Sequence, residues 1–191
     1  MAEKNRCQWA SNSMLKKYHD DEWGVPLHSD RRLFEFLILD GAQAGLSWST
    51  ILAKRTAYRK AFDSFDPKKM SKYKASDIRR LMKNSGIVRN RKKIESAVNN
   101  AKKFLEVKKE FGTFDAYVWK FVDYRTIKNN YRSWKDVPAV SKESQEMSRD
   151  MKMRGFSFAG PTICYAFMQS CGMVNDHIAS CFRHRDPRNS K

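Results

Sequence analysis

An all-α fold is predicted by three features of the chain. First, apolar residues recur at intervals of three and four: Leu33, Phe34, Leu37 and Ile38; Trp48, Ile51 and Leu52; Ile78, Leu81 and Met82; then Ile94, Ala97, Val98, Ala101, Phe104 and Leu105. That interval places them on one face of a helix. Second, helix starts and stops bracket these runs: Asp30 reads as an N-cap, Ser76-Asp77 and Ser141-Lys142-Glu143-Ser144 as starts, Gly155 as a stop and Gly160-Pro161 as an opening. Third, no stretch carries a strand signal, an internal repeat or low complexity.

Length and composition narrow the function. With 191 residues, 41% hydrophobic and 13% aromatic, the chain has enough material for one sizeable core or two small lobes sharing one. No run approaches the roughly 18–20 apolar residues of a membrane span. The start, Met1 to Cys7, lacks an apolar signal region, so a cytoplasmic or nucleoid location is expected. Thirty-eight Lys and Arg against 21 Asp and Glu give a formal charge of +17. An excess of that size suits a polyanionic partner, and nucleic acid is the expected one. The charge recurs in Arg79-Arg80, Arg89 to Lys93, Lys102-Lys103 and Lys108-Lys109. A membrane surface is disfavoured because no basic amphipathic helix with a bulky aromatic face stands out.

Cysteines stand at 7, 164, 171 and 181. Cys7 and His19 lie near one end, and His177 and Cys181, spaced i, i+4, near the other. On a helix that spacing would put the second pair on one face, and the two halves together make a Cys2His2 set suited to tetrahedral zinc. Core cysteines with surface histidines are the plainer alternative. Cys164 and Cys171 share an apolar face with Ile163, Phe167 and Met168 and read as core, while His28 and His184 read as surface residues. Asp20 to Pro26 reads as an irregular segment, and a second helix runs from Ser47 towards Phe62, with Pro67 breaking the pattern. Between the first two helices, Asp40-Gly41-Ala42-Gln43-Ala44-Gly45-Leu46-Ser47-Trp48 brings an acid and a tryptophan to a shared space. Asn84 to Ile94, pivoting on Gly86, gives a helix-hairpin-helix pattern over about 76–105. Backbone N–H groups at such a turn can hold a DNA phosphate, although Arg89 takes the place of the usual second glycine. Thr113 to Val122 reads as a short helix, Asp123 to Ser141 as an irregular connection, and Gly160 to Met173 as the last helix.

On Tyr18-His19-Asp20-Asp21-Glu22-Trp23-Gly24-Val25-Pro26, Ala44-Gly45-Leu46-Ser47-Trp48, Gly86-Ile87-Val88-Arg89 and Arg154-Gly155-Phe156 through His177, the chain resembles the 3-methyladenine DNA glycosylase I (Tag) family. The similarity runs from Cys7 to about Cys181. It implies one domain over 1–191 with a helix-hairpin-helix glycosylase fold, two helical lobes and a base pocket between them. It also implies a structural zinc held by Cys7, His19, His177 and Cys181. The flipped base would sit among Trp9, Tyr18, Trp23 and Trp48 with a carboxylate at Asp40; Asp40, Tyr18 and Trp48 would be catalytic. Leu46 would wedge into the vacated stack, and Gly86, Arg89, Arg91 and Lys93 would position the DNA backbone. The implied activity is monofunctional hydrolysis of the glycosidic bond of 3-methyladenine in double-stranded DNA, by a monomer.

Three departures bear on efficiency. Asp40 stands where the family has glutamate, drawing the carboxylate back by about 1.5 Å, one C–C length. Ala42 replaces a family glutamine. Leu15 replaces a tyrosine, with Asn12-Ser13 where Asp-Pro is usual. A weakly active or inactive protein that binds damaged DNA is the alternative they raise.

Overall fold

The computed structural model describes residues 4–186 and 188. α1 (Ser13–Asp21) is a helix that no periodic run in the sequence announced, and it extends into the Asp20 to Pro26 segment read as irregular. Asn12 starts it by accepting a hydrogen bond from the Leu15 N–H at 2.9 Å, and the helix buries Leu15, Tyr18 and His19. α2 (Asp30–Gln43) is buried continuously from Leu33 to Ala42 and packs against α3, α6, α7 and α9, so it forms the wall the rest of the fold shares. Asp30 is its first helical residue and not its cap, which is Ser29. The Asp30 carboxylate instead accepts the Asp115 N–H at 3.0 Å and Lys108 Nζ at 2.7 Å.

α3 (Trp48–Ala61) begins where Ser47 Oγ accepts the Thr50 N–H at 3.2 Å. A left-handed turn through Asp63, Ser64 and Phe65 follows. Pro67, expected as a breaker, opens α4 (Pro67–Met70), because its missing N–H is one that a first turn leaves unused. α5 (Ala75–Lys83) and α6 (Arg91–Phe111) flank the hairpin, and α7 (Phe114–Trp119) continues as a 3-10 turn to Val122. α8 (Lys142–Met153) and α9 (Pro161–Ser170) pack on each other, and α9 returns to α2. One parallel pair, β1 (Ile127–Lys128) and β2 (Val174–Asn175), tethers the long connection. At two residues a strand, it leaves no periodic trace in the sequence.

A buried ionic group braces α2 against α3. Arg55 Nε donates to Glu35 at 2.6 Å, Arg55 also donates to Glu22 at 2.9 Å, and its guanidinium lies 4.9 Å from the Phe36 ring centre. No helix among the described residues is long and apolar enough to cross a membrane.

Candidate functional site

The bottom of the site is the last turn of α2. Asp40 is 3% exposed there, in a cavity of about 300 Å³ lined also by Trp9, Leu15, Tyr18, Trp23 and Trp48. The aromatic walls meet at an angle: ring centres of Tyr18 and Trp48 are 5.4 Å apart, and those of Trp9 and Trp23 are 5.0 Å apart. Ser170, at the end of α9, joins two of the predicted residues. Its hydroxyl accepts from Tyr18 Oη at 3.1 Å and donates to Asp40 Oδ1 at 3.5 Å. The second contact is long, so the carboxyl is weakly held on that side. Asp40 Oδ2 and the indole N–H groups of Trp9 and Trp48 are buried with no partner. Three such atoms on residues lining one cavity mark a place where a polar ligand would complete the bonding. Burial pushes the Asp40 carboxyl well above the usual carboxylate range, against smaller opposing effects of Ser170 and the Arg55 charge. Burial, then the nearby Asp40, likewise raises the Tyr18 phenol.

Cys7, His19, His177 and Cys181 converge beside this pocket, their ligand atoms within 4.8 Å of one another, a group able to hold a metal ion. Cys181 Sγ lies 3.4 Å from His19 Nε2 and 3.6 Å from His177 Nδ1, and Cys7 Sγ lies 3.7 Å from His177 Nδ1. Each imidazole is oriented through its other nitrogen. His19 Nδ1 is 2.9 Å from Asp20, itself gripped by Arg6, and His177 Nε2 is 3.2 Å from the Trp23 carbonyl. His177 and Cys181 lie in irregular chain and not on a helix, and the chain turns so that the Cys181 N–H meets the Ile178 carbonyl at 2.8 Å. Gly24, at φ +72°, passes so close that a Cβ there would sit 3.0 Å from His177 Nε2. The other two histidines are also engaged. His28 pairs with Asp115 at 2.9 Å and stacks on Trp119, and His184 Nδ1 meets the His177 carbonyl at 2.8 Å. Cys164 and Cys171 are buried.

The hairpin at 84–90 lies against α3. Lys54 Nζ donates to the Ser85 carbonyl at 2.9 Å, and the Val88 N–H donates to Tyr58 Oη at 3.2 Å. Gly86 is required by close approach: a Cβ there would be 2.8 Å from the Ala57 Cβ. Arg89 and Arg91 are exposed, Arg91 pairing with Glu95 at 3.2 Å. Leu46, 41% exposed, stands at the tip of the loop between α2 and α3. Lys93 is placed differently from a free phosphate ligand: its ammonium donates to the Ala42 carbonyl at 2.8 Å and the Ala44 carbonyl at 2.6 Å.

A family model described as methyladenine glycosylase matches residues 9–184. The chain belongs to that family. It is 46% identical over 177 residues to DNA-3-methyladenine glycosylase of Haemophilus influenzae, covering 92% of this chain and 96% of that protein. It is 42% identical over 177 residues to DNA-3-methyladenine glycosylase 1 of Escherichia coli K12, covering 92% and 95%. A crystal structure of a variant 3-methyladenine DNA glycosylase I in complex with 3-methyladenine superimposes with a TM-score of 0.90 at 34% identity, covering 98% of each chain.

Within this methyladenine glycosylase, the lining residues that sequence reasoning missed include Trp134 and Ser170. Trp134 closes the pocket 6.0 Å from Trp23 and 6.2 Å from Trp9, ring centre to ring centre. Its one signal was a tryptophan within an otherwise polar connection. Ser170 had none, since a small polar residue ending an apolar helix is ordinary. Ala42, expected beside the pocket, is buried and is not among the residues lining it.

Proposed function

We propose that the protein is a monofunctional DNA glycosylase that hydrolyses the N-glycosidic bond of 3-methyladenine in double-stranded DNA, the activity named for its relatives. The observation that carries this reading is the unpartnered Asp40 Oδ2, buried in a cavity walled by aromatic rings. N3-methylation makes the adenine cationic. Aromatic faces attract a cation, and a carboxylate accepts its amino hydrogens. A cation beside Asp40 would also favour the ionised carboxylate that burial alone opposes. The base leaves neutral, so extraction from the stack and the fit of the pocket supply much of the selectivity, and little acid catalysis is needed. Water then attacks the oxocarbenium-like sugar. None of the described residues lining the cavity is a lysine, which favours release at an abasic site over a Schiff-base intermediate.

In the same reading, Leu46 fills the vacated stack while Gly86, Arg89 and Arg91 hold the DNA backbone. Pocket, loop and hairpin all come from one chain, which suits a monomeric enzyme formed as a single domain. We assign zinc to the Cys7–His19–His177–Cys181 cluster. A tetrahedral ion with Zn–S near 2.3 Å and Zn–N near 2.05 Å sets sulfur and nitrogen about 3.6 Å apart. Three sulfur–nitrogen separations, of 3.4, 3.6 and 3.7 Å, fit that spacing, within a set whose ligand atoms all lie within 4.8 Å of one another. The acid and carbonyl on the outer imidazole nitrogens are the usual support for such a site. With four protein ligands and no open position, the ion serves structure alone.

The long Ser170–Asp40 contact favours a second reading, in which the shortened carboxylate leaves a protein that binds damaged DNA but turns over poorly. Incubation with methylated duplex DNA, with chromatography of every free base, separates the two. The glycosylase releases 3-methyladenine and leaves a backbone intact until alkali treatment. Tight binding with no free base supports the second reading.

A further inference from the structure

We propose that Lys93 is a positioning residue that couples the DNA-docking hairpin to the base pocket; this rests on the glycosylase reading above. Lys93 is the third residue of α6, in the turn that follows the hairpin, and the Asn90 side chain accepts its N–H at 3.2 Å. Its ammonium reaches away from that turn to the carbonyls of Ala42 and Ala44, at 2.8 and 2.6 Å. The last carbonyls of a helix have no partner within it and carry its negative end. α2 has no basic residue of its own in its last turn, so Lys93 supplies the cation from another element. Burial lowers the Lys93 pKa, in keeping with an ammonium drawn against the protein.

What it holds is the short span that joins the pocket to the wedge. Asp40 lies two residues before Ala42, and Leu46 and Trp48 lie two and four residues after Ala44. Gly45, at φ +76° with open space around it, gives this loop little packing of its own. The other side of the same hairpin is fixed to α3 through Lys54, Ala57 and Tyr58. Hairpin, end of α2 and the body of α3 therefore form one braced unit, and Lys93 is its link to the loop. Docking of the hairpin on a duplex then sets Leu46, Asp40 and Trp48 against the nucleotide to be extracted. A misplacement of ~1 Å at such a site can cost ~100-fold in rate.

The test compares wild type, Lys93→Met and Lys93→Arg in single-turnover release of 3-methyladenine from methylated duplex, and in binding of undamaged duplex over a range of salt. Lys93→Met is expected to lower the excision rate by about tenfold or more. Its slope of log affinity against log salt should stay unchanged. Lys93→Arg, which can still donate to two carbonyls, should recover most of the rate. A phosphate ligand behaves otherwise: its loss reduces the salt slope by about one, with excision preserved at saturating enzyme. That outcome overturns the proposal, as does a Lys93→Met enzyme of full activity and unchanged slope. If Lys93→Met does not fold, hydrogen exchange of wild type with undamaged duplex decides: slowing at residues 44–48 together with 85–93 supports the coupling, and slowing at the hairpin alone overturns it. A wild type that releases no base removes the glycosylase reading and this proposal with it, whereas an active wild type with an unaffected Lys93→Met removes this proposal alone.

Discussion

Removing the proposed zinc should loosen the pocket as well as the ends of the chain. The cluster joins the segment carrying Cys7 and His19 to that carrying His177 and Cys181, and all four side chains are buried. Apart from the four ligands, the segments are linked by contacts that include the Phe182 N–H to the Asn5 carbonyl at 3.0 Å, Asn5 Nδ2 to the Ser180 carbonyl at 2.9 Å and His177 Nε2 to the Trp23 carbonyl at 3.2 Å. Structural zinc is worth roughly 10–16 kcal/mol in small peptides that have no fold without it. This chain has a large core apart from the cluster, so only part of that range bears on global stability. Breaking one buried charge-paired contact costs about 3–5 kcal/mol, a fair scale for Cys181→Ser. At about 2–4 °C per kcal/mol for a chain of this size, Tm should fall by roughly 6–20 °C. Trp9, Tyr18 and Trp23 stand on the tied segment, Trp23 with its ring centre 4.5 Å from that of His177, so base release should fall too. Elemental analysis and calorimetry with and without a chelator provide the assay. Protein that purifies without metal, melts at the same temperature with chelator and tolerates Cys181→Ser would refute the reasoning.

Other perturbations follow from the same geometry. Asp40→Glu advances the carboxylate by about 1.5 Å and should speed 3-methyladenine release, by up to ~100-fold if its retreat is limiting; an unchanged or lower single-turnover rate counts against this. Because burial raises the Asp40 pKa, the folded protein holds a proton that the unfolded chain has lost. Stability should therefore fall as pH rises from the usual carboxylate range to that raised value, by up to about 1.4 kcal/mol per pH unit. Asp40→Asn should flatten that slope, read from denaturant midpoints across pH. Ser170→Ala leaves Tyr18 Oη without its acceptor and Asp40 Oδ1 without its donor. It should cost about 1–3 kcal/mol of stability, measured by urea unfolding.

The helical frame was legible because α3, α5 and α6 each bury a face long enough to print its period on the sequence, and α2, buried on all sides from Leu33 to Ala42, is apolar over a long run. α1 was not, since Leu15 and Tyr18 are its only buried apolar side chains among polar neighbours. The Cys/His cluster was visible as two pairs, yet the i, i+4 spacing of the second is met by turns. Chemistry fixed which residue types converge, but not the backbone that brings them together. The pocket acid and four of its aromatic residues were readable as motif residues. Trp134 reached the pocket from a connection without periodicity, placed by long-range contacts that local sequence does not encode. Lys93 shows the same limit: the two carbonyls its ammonium meets lie 51 and 49 residues earlier in the chain, and no local pattern announces them.

The most direct test of the account replaces Asp40 by Asn, which keeps the shape and exchanges one carboxylate oxygen for an amide donor. Single-turnover release of 3-methyladenine is measured beside affinity for undamaged duplex. If the buried Oδ2 accepts the base's amino hydrogens, release should fall by about 100-fold or more while duplex affinity stays within about twofold. Release at the wild-type rate would show that the Asp40 carboxylate does not engage the base, and the assignment of the pocket would fail.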